Sequence, residues 1–376
     1  MKLIFKLVLG LGALCLVAAL VLYASDNRTV AEPFLITALL SLAIGIRGAS
    51  ALKSFAYPIM IVGVVSTALI FPQYLIEING FKLSLLVTPL IQLIMFGMGT
   101  TMSFKDFVGI FKAPKGVVIG VVSHFIIMPL IGFALAYLSN FPPEIAAGII
   151  LIGCAPNGVA ANVISYLAKA NLALSITITA VSTLLAPFVT PLLMKFLAGS
   201  FIEIDILDMM WDIIKMVILP IGIALLFNQF LSKRVKWLES VMPLISMFGI
   251  AFIIIIVTAL GRDSLLEVGP VLILIVLIHN LSGYTLGYWT GRLFKMNERD
   301  CRTIAIQAGM QNAGLAKGLA HGMGKLATVG LAPMIFGPMM NITGSILASY
   351  WQRKQGLETE IPEAGLSDLN LKQAKP

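Results

Sequence analysis

The chain has 376 residues, of which 59% are hydrophobic and only 12% charged. A soluble domain carries about 25% charged residues, and a mean hydropathy of +0.97 excludes a water-soluble enzyme or a nucleic-acid-binding protein. The net charge of +8 reads as orientation in a bilayer, where Lys and Arg gather on the cytoplasmic side.

A spanning helix needs about 20 predominantly apolar residues. Cutting the chain at its charged and Pro/Gly-rich breaks predicts spans near 4–24, 34–52, 56–72, 83–102, 116–138, 144–169, 173–197, 212–231, 241–260, 269–292, 302–323 and 327–351. The first begins like a signal peptide at Lys2 and Lys6. Its apolar run is long for an h-region of about 7–15 residues, so an uncleaved helix is expected. The second is the weakest, since its apolar run ends at Arg47; a short interfacial hairpin is the alternative there. Barrel strands would alternate in short segments, whereas these runs are continuous. The predicted fold class is all-α and polytopic. Cys15, Cys154 and Cys301 lie too far apart for a disulfide framework or a zinc site, and no transition metal is expected.

Orientation follows from alternate loops. Lys2/Lys6, Arg47/Lys53, Lys105/Lys112/Lys115, Lys169, Lys233/Arg234/Lys236, Arg292/Lys295/Arg299/Arg302 and Arg353/Lys354 all fall on one side. The positive-inside rule makes that side cytoplasmic, with both termini there, in the cytoplasmic (inner) membrane. The stretch 355–376 is polar and contains proline, and is expected to be a disordered tail.

Two spans carry interruptions. GCAPNGVAAN (153–162) and QAGMQNAG (307–314) place Gly, Pro and amide side chains inside apolar runs. Pro removes a helix donor and Gly frees the backbone. Unpaired backbone at membrane depth is tolerated only beside protein or a wet cavity. A pair of such breaks in corresponding halves points to a transporter binding site, although each break alone also reads as a kink in a packed helix. Gly283, Gly287 and Gly291 form a small-residue ladder for helix packing. GMGKLA (322–327) has no strand before it, so it is not read as a nucleotide motif.

The stretch 153–193, MFGMGTTM (95–102), GMQNAGLA (309–316) and NITGSILASYW (341–351) resemble signature segments of the bile acid:sodium symporter (BASS) family. The resemblance covers about 56–352. It implies a ten-helix transporter of two inverted five-helix repeats, with fourth and ninth helices broken and crossing. By resemblance the panel domain is about 56–102 and 212–260, and the core about 116–197 and 269–351. Residues 1–54 lie outside it as an added transmembrane hairpin, before a transporter at 55–354.

The function implied is sodium-driven, alternating-access transport of an organic anion, of bile-acid or steroid type or a small keto or hydroxy acid. Carried over by position, a first sodium site would use Ala161, Asn162, Ser175, Thr179 and Gln307. A second would use His124, Gln307, Ala308, Met310 and Gln311. Substrate would meet Asn157, Gly158, Asn312 and Asn341. The family keeps Glu at position 307, Gln at 124 and usually Ser at 161, and its first break usually reads Gly-Gly-Thr where this chain has Asn157-Gly158-Val159.

A hard cation needs several oxygens, and a carboxylate offsets the cost of bringing it into low dielectric. Gln307 brings an oxygen without the charge. His124 is therefore either a proton carrier or a neutral imidazole bonded to Gln307 or Gln311. Lys317 is either an anion-attracting cation or a side chain snorkelling toward His321, while His279 and Asn280 read as satisfied polar contacts. Rival readings are a sodium-independent, proton-coupled or exchange carrier using His124 and Lys317, and a non-transporting ligand sensor on the same fold. An arsenite-efflux relative using Cys154 is a further alternative. No enzyme, organic cofactor or nucleic-acid partner is expected; the expected partners are a small organic anion, sodium and lipid, with oligomeric state open.

Overall fold

A computed structural model of the chain describes residues 3–49, 56–100, 102–103, 113–231 and 236–359, which form an almost wholly helical membrane protein. Helices α1 (Leu3–Ala24) and α2 (Arg28–Gly45) pack as a hairpin, with Gly12 against Leu42 and Gly45 against Leu9. The second span therefore starts earlier than its hydropathy suggests and runs through a 3-10 turn to Gly48. It is long and apolar enough to cross a membrane, in place of a short interfacial hairpin.

α3 (Ala56–Ile70) and the single turn α4 (Gln73–Ile76) lead into a small hairpin of β1 (Glu77–Ile78) and β2 (Phe81–Lys82). Asn79 and Gly80 form its tip, both at positive φ, as a two-residue hairpin turn demands. After α5 (Val87–Thr100) come α6 (Pro114–Ser139), α7 (Pro143–Cys154), α8 (Ala160–Leu167) and α9 (Leu172–Ala198). α10 (Ile206–Ile213) continues through a π-helical turn at Ile214–Ile218 into α11 (Leu219–Leu231). α12 (Lys236–Leu260), α13 (Arg262–Leu293), α14 (Glu298–Gly309), α15 (Ala313–Gly322) and α16 (Leu331–Thr359) complete the chain. Among the described residues, eight helical segments are long and apolar enough to span a membrane. The expected tail begins as the last turns of α16; residues 360–376, and the basic residues Lys53, Lys105, Lys112, Lys233 and Arg234, lie outside the described residues.

Capping follows the sequence closely. Asn171, Asp205, Asn297 and Asn312 each accept a bond from the backbone N–H three residues on, starting α9, α10, α14 and α15. α3, α5, α11 and α12 pack side by side, and α2 rests on α3. A second set is built on α6, which packs against α7, α9, α13 and α14, while α16 covers α7, α8 and α13. The glycine ladder of α13 lies against α14: a Cβ at Gly287 would sit 2.8 Å from Ala308 Cβ, and one at Gly291 would sit 3.0 Å from Cys301 Cα.

Arg302, counted above with the loop cations, is instead 1% exposed. Its Nε donates to Glu298 Oε1 at 2.9 Å and its guanidinium lies 5.7 Å from the Trp351 ring. Its Nη1 reaches the Ala168 carbonyl just past the end of α8 at 3.5 Å. Arg302→Met removes these bonds while keeping much of the bulk. It is expected to cost about 1 kcal/mol, the usual net worth of a hydrogen bond, since Glu298 is partly exposed and keeps Tyr288 and Arg292 as partners. Thermal unfolding of the purified protein checks this.

Candidate functional site

The first interruption has a local cause. Pro156 disfavours helical dihedrals at the residue before it, and Ala155 is extended at φ −69°, ψ 150°. The second has no proline and ends for tertiary reasons. The Ala308 carbonyl accepts from Gln311 Nε2 (2.8 Å), and that of Gly309 accepts from Asn280 Nδ2 (2.7 Å). The Met310 carbonyl accepts from Gly158 N (3.1 Å). With Asn312 N, the donor that would continue the ladder to Ala308, taken by the Pro156 carbonyl at 2.8 Å, the helix stops and α15 starts afresh on its Asn312 cap.

The two breaks cross. Asn157 and Gln311 form an antiparallel bridge, flanked by Gly158 N to Met310 O at 3.1 Å and Asn312 N to Pro156 O at 2.8 Å. Two short stretches separated by some 150 residues thus satisfy each other's backbone in the protein interior, as buried polar groups must be satisfied. The C-termini of α7 and α14 and the N-termini of α8 and α15 all meet at this point.

Beside the crossing lies a polar cage. Ser175, Thr179 and Ser182 sit at helical spacing on α9; Ser175 and Thr179 face α8, while Ser182 lies toward Asn157 of the first break. Ser175 Oγ donates to Asn162 Oδ1 at 2.8 Å and lies 3.0 Å from Ser165 Oγ, and Thr179 Oγ1 is 3.1 Å from Asn162 Oδ1. Gln307 of α14 reaches in, with Nε2 at 2.7 Å from Ser175 Oγ, 2.9 Å from the Ser175 carbonyl, 3.0 Å from Thr179 Oγ1 and 3.2 Å from Asn162 Oδ1. Ala161 is buried next to it and offers no side-chain oxygen. A cleft of ≈350 Å³ opens beside the cage, lined by Asn162, Thr179, Val159, Tyr166 and Ile176 among others.

On the other side, His124 of α6 uses both ring nitrogens. Nε2 donates to the Ala155 carbonyl at 2.9 Å, which fixes Nδ1 as the acceptor from Asn157 Nδ2, also at 2.9 Å. It bonds neither the Gln307 nor the Gln311 side chain. Asn157 Nδ2 also donates to the Gln307 carbonyl, and Asn157 N reaches Ser182 Oγ at 3.4 Å. Two amide oxygens, Asn157 Oδ1 and Gln311 Oε1, are buried with no hydrogen-bond partner among the described residues. They belong to the bridged pair itself, and directly opposed residues project from the same face.

Of the remaining residues, Asn312 is buried at the crossing and Gly158 is pressed against it. Asn341 bonds back to the Gly337 carbonyl of its own helix at 2.9 Å. Lys317 is 1% exposed on α15 and makes no hydrogen bond or ion pair among the described residues. It is therefore enclosed, not snorkelling. Asn280 accepts from Thr343 Oγ1 at 2.6 Å, joining α13 to α16. His279 Nε2 donates to the Met128 carbonyl at 2.9 Å, while its Nδ1 is buried without a partner. Sequence reasoning passed over Ser165 and Ser182. The spacing 175, 179, 182 on one helix face was the available signal for Ser182.

A polytopic helical protein whose two interrupted helices cross at buried amides is built as a membrane transporter. A family model described as the sodium bile acid symporter family matches residues 88–268. A Bacillus subtilis (strain 168) protein named uncharacterized sodium-dependent transporter YocS is 40% identical over 286 residues, 76% of this chain and 87% of that protein. The Arabidopsis thaliana probable sodium/metabolite cotransporter BASS1, chloroplastic, is 35% identical over 71% of this chain and 66% of its own length. The corresponding Arabidopsis BASS6 protein is 31% identical over 89% of this chain and 83% of its own length. The chain belongs to the sodium bile acid symporter family, and is a transporter, not an enzyme.

Proposed function

We propose that the protein is a secondary transporter of a small organic anion, driven by sodium and working by alternating access. The observation that carries this reading is the crossing of two interrupted helices through the Asn157–Gln311 bridge. It gathers two helix N-termini, whose free N–H groups and positive dipole ends favour an anion. Asn157, Gly158 and Asn312 border that point, with Asn341 and Lys317 on the helices around it. A carboxylate or sulfate of a bile-acid-like molecule or of a small keto or hydroxy acid matches this chemistry. The sodium-dependent names of the relatives support sodium as the co-transported ion.

The donor set allows a fit at one place. Asn157 Oδ1 and Gln311 Oε1 are hard oxygens without partners among the described residues, and the Met310 carbonyl next to them has a second lone pair. These would hold a sodium ion at the crossing. His124 contributes no free nitrogen there and acts by holding Asn157 in place. In this reading α6–α9 and α13–α16 form the moving core, α3, α5 and α10–α12 the panel, and residues 1–54 a hairpin attached to the panel through α3. Both termini then face the cytoplasm across the inner membrane.

A second reading is favoured by one observation: the unpaired, enclosed Lys317 supplies a fixed cation that would let the carrier run without sodium. Flux of a bile acid and of a keto acid into proteoliposomes, with and without a sodium gradient and at two pH values, separates the readings. Sodium-stimulated uptake at constant pH is the expected result. Uptake that ignores sodium favours the Lys317 reading, and no flux of either anion, with binding retained, leaves a ligand sensor.

A further inference from the structure

Four oxygens from two helices converge on a single point in the cage between α8 and α9. They are Asn162 Oδ1, Ser175 Oγ, the Ser175 carbonyl and Thr179 Oγ1, and the atom at that point is Gln307 Nε2, 2.7–3.2 Å from each. Oxygens arranged in this way suit a hard cation, which calcium illustrates with oxygen ligands at about 2.3–2.6 Å. An amide nitrogen suits them equally, since it carries two N–H donors and a partial positive charge. Chemistry also decides which end of the amide faces inward. Turned over, Oε1 would meet the Ser175 carbonyl, acceptor against acceptor, in a buried site where no water replaces the unmade bond.

We infer that Gln307 acts as a tethered stand-in for a cation, closing the Asn162/Ser175/Thr179 cage to sodium, so that the ion-binding capacity of this chain is one site smaller than its set of cage oxygens suggests. The cage borders a cleft lined by Asn162 and Thr179, and the amide already in place occupies the point an ion would take. An ion entering would have to expel the amide and break the hydrogen bonds its two N–H groups share among the cage oxygens. It would gain no carboxylate in return, because Gln307 has none to offer. The inference rests on the transport reading only for which ion the cage would otherwise take.

The test is equilibrium binding of radioactive sodium to the purified full-length protein in detergent, read as ions per chain. The wild type is expected to bind at most one. Gln307→Glu removes the N–H group and supplies a charged oxygen, and is expected to bind one ion more than the wild type. Adding Thr179→Ala to that variant is expected to abolish the extra ion. Should Gln307→Glu fail to fold, Gln307→Ala withdraws the amide without adding charge and is expected to gain the same ion at least tenfold more weakly. Two ions per wild-type chain overturn the inference while leaving sodium-driven transport intact. Equal stoichiometry in the wild type and a folded variant also overturns it. No ion in the wild type and one in Gln307→Glu leaves the inference standing and removes the sodium-driven reading instead.

Discussion

Gly158→Ala is expected to abolish flux and to lower the thermal stability of the protein measurably. A Cβ at this position would lie 2.6 Å from the Gln311 carbonyl oxygen and 3.2 Å from its carbon. Both are backbone atoms, so no side-chain rotation relieves the clash. Nor can the backbone retreat freely, because Gly158 N is bonded to Met310 O and Asn312 N to Pro156 O on either side. Overpacking a well-packed interior costs about 1–3 kcal/mol, and separating the crossing strands would leave buried backbone groups unpaired, at about 1–3 kcal/mol each. Transport suffers more than stability, since the two half-helix ends meet where the strands would be forced apart. Gly222→Ala is the control: no atom lies within 4 Å of a Cβ there, and alanine is the better helix former. Melting curves and flux for both variants decide the matter; a Gly158→Ala protein with wild-type flux would show that the crossing can loosen without loss of function.

Lys317→Met is expected to move stability and activity in opposite directions. The side chain is 1% exposed and makes no ion pair or hydrogen bond among the described residues. A Lys at the centre of a membrane helix costs about 2.5–3.5 kcal/mol on insertion scales. Methionine keeps the length and removes the charge, so the melting temperature should rise, by part of that sum at most because the native environment already relieves some of it. Anion flux should fall at least tenfold, as expected of a residue kept for function at a cost in stability. A lower melting temperature would show the ammonium to be paired, and a rise in stability with unchanged flux would remove Lys317 from the anion's path.

The spans and the two breaks were legible in the sequence because their causes are local. Twenty apolar residues in a row need no partner to announce a membrane helix, and Pro156 ends α7 by its own steric demand. The amides at the breaks could also be read, whereas Ser175 and Thr179 came from the family resemblance alone. The second break was recognised from its composition alone; what ends α14 is the diversion of Asn312 N to the Pro156 carbonyl, while its last carbonyls accept from Asn280, Gln311 and Gly158. The π-helical turn at Ile214–Ile218 left no signal of its own: Lys215 is the one departure from an otherwise apolar run there, and a charge does not announce a change of helix type. Arg302 misled in the other direction: its type and position matched a loop cation, and only packing against Glu298 and Trp351 buries it.

By itself, then, the sequence determined that this chain is an all-helical membrane protein with two interrupted helices and no carboxylate at their breaks. The tertiary structure alone decided what the uncharged residues there do. Gln307 offers an oxygen and a nitrogen, and which of them enters the cage depends on Ser175 and Asn162, on helices 132 and 145 residues away in the chain. Likewise His124 holds the side chain of Asn157, a partner on the first break, and neither glutamine side chain. Hydropathy and helix breaking are properties of short stretches of chain. The direction of an amide and the burial of Lys317 are set by the register between helices, which short stretches do not carry.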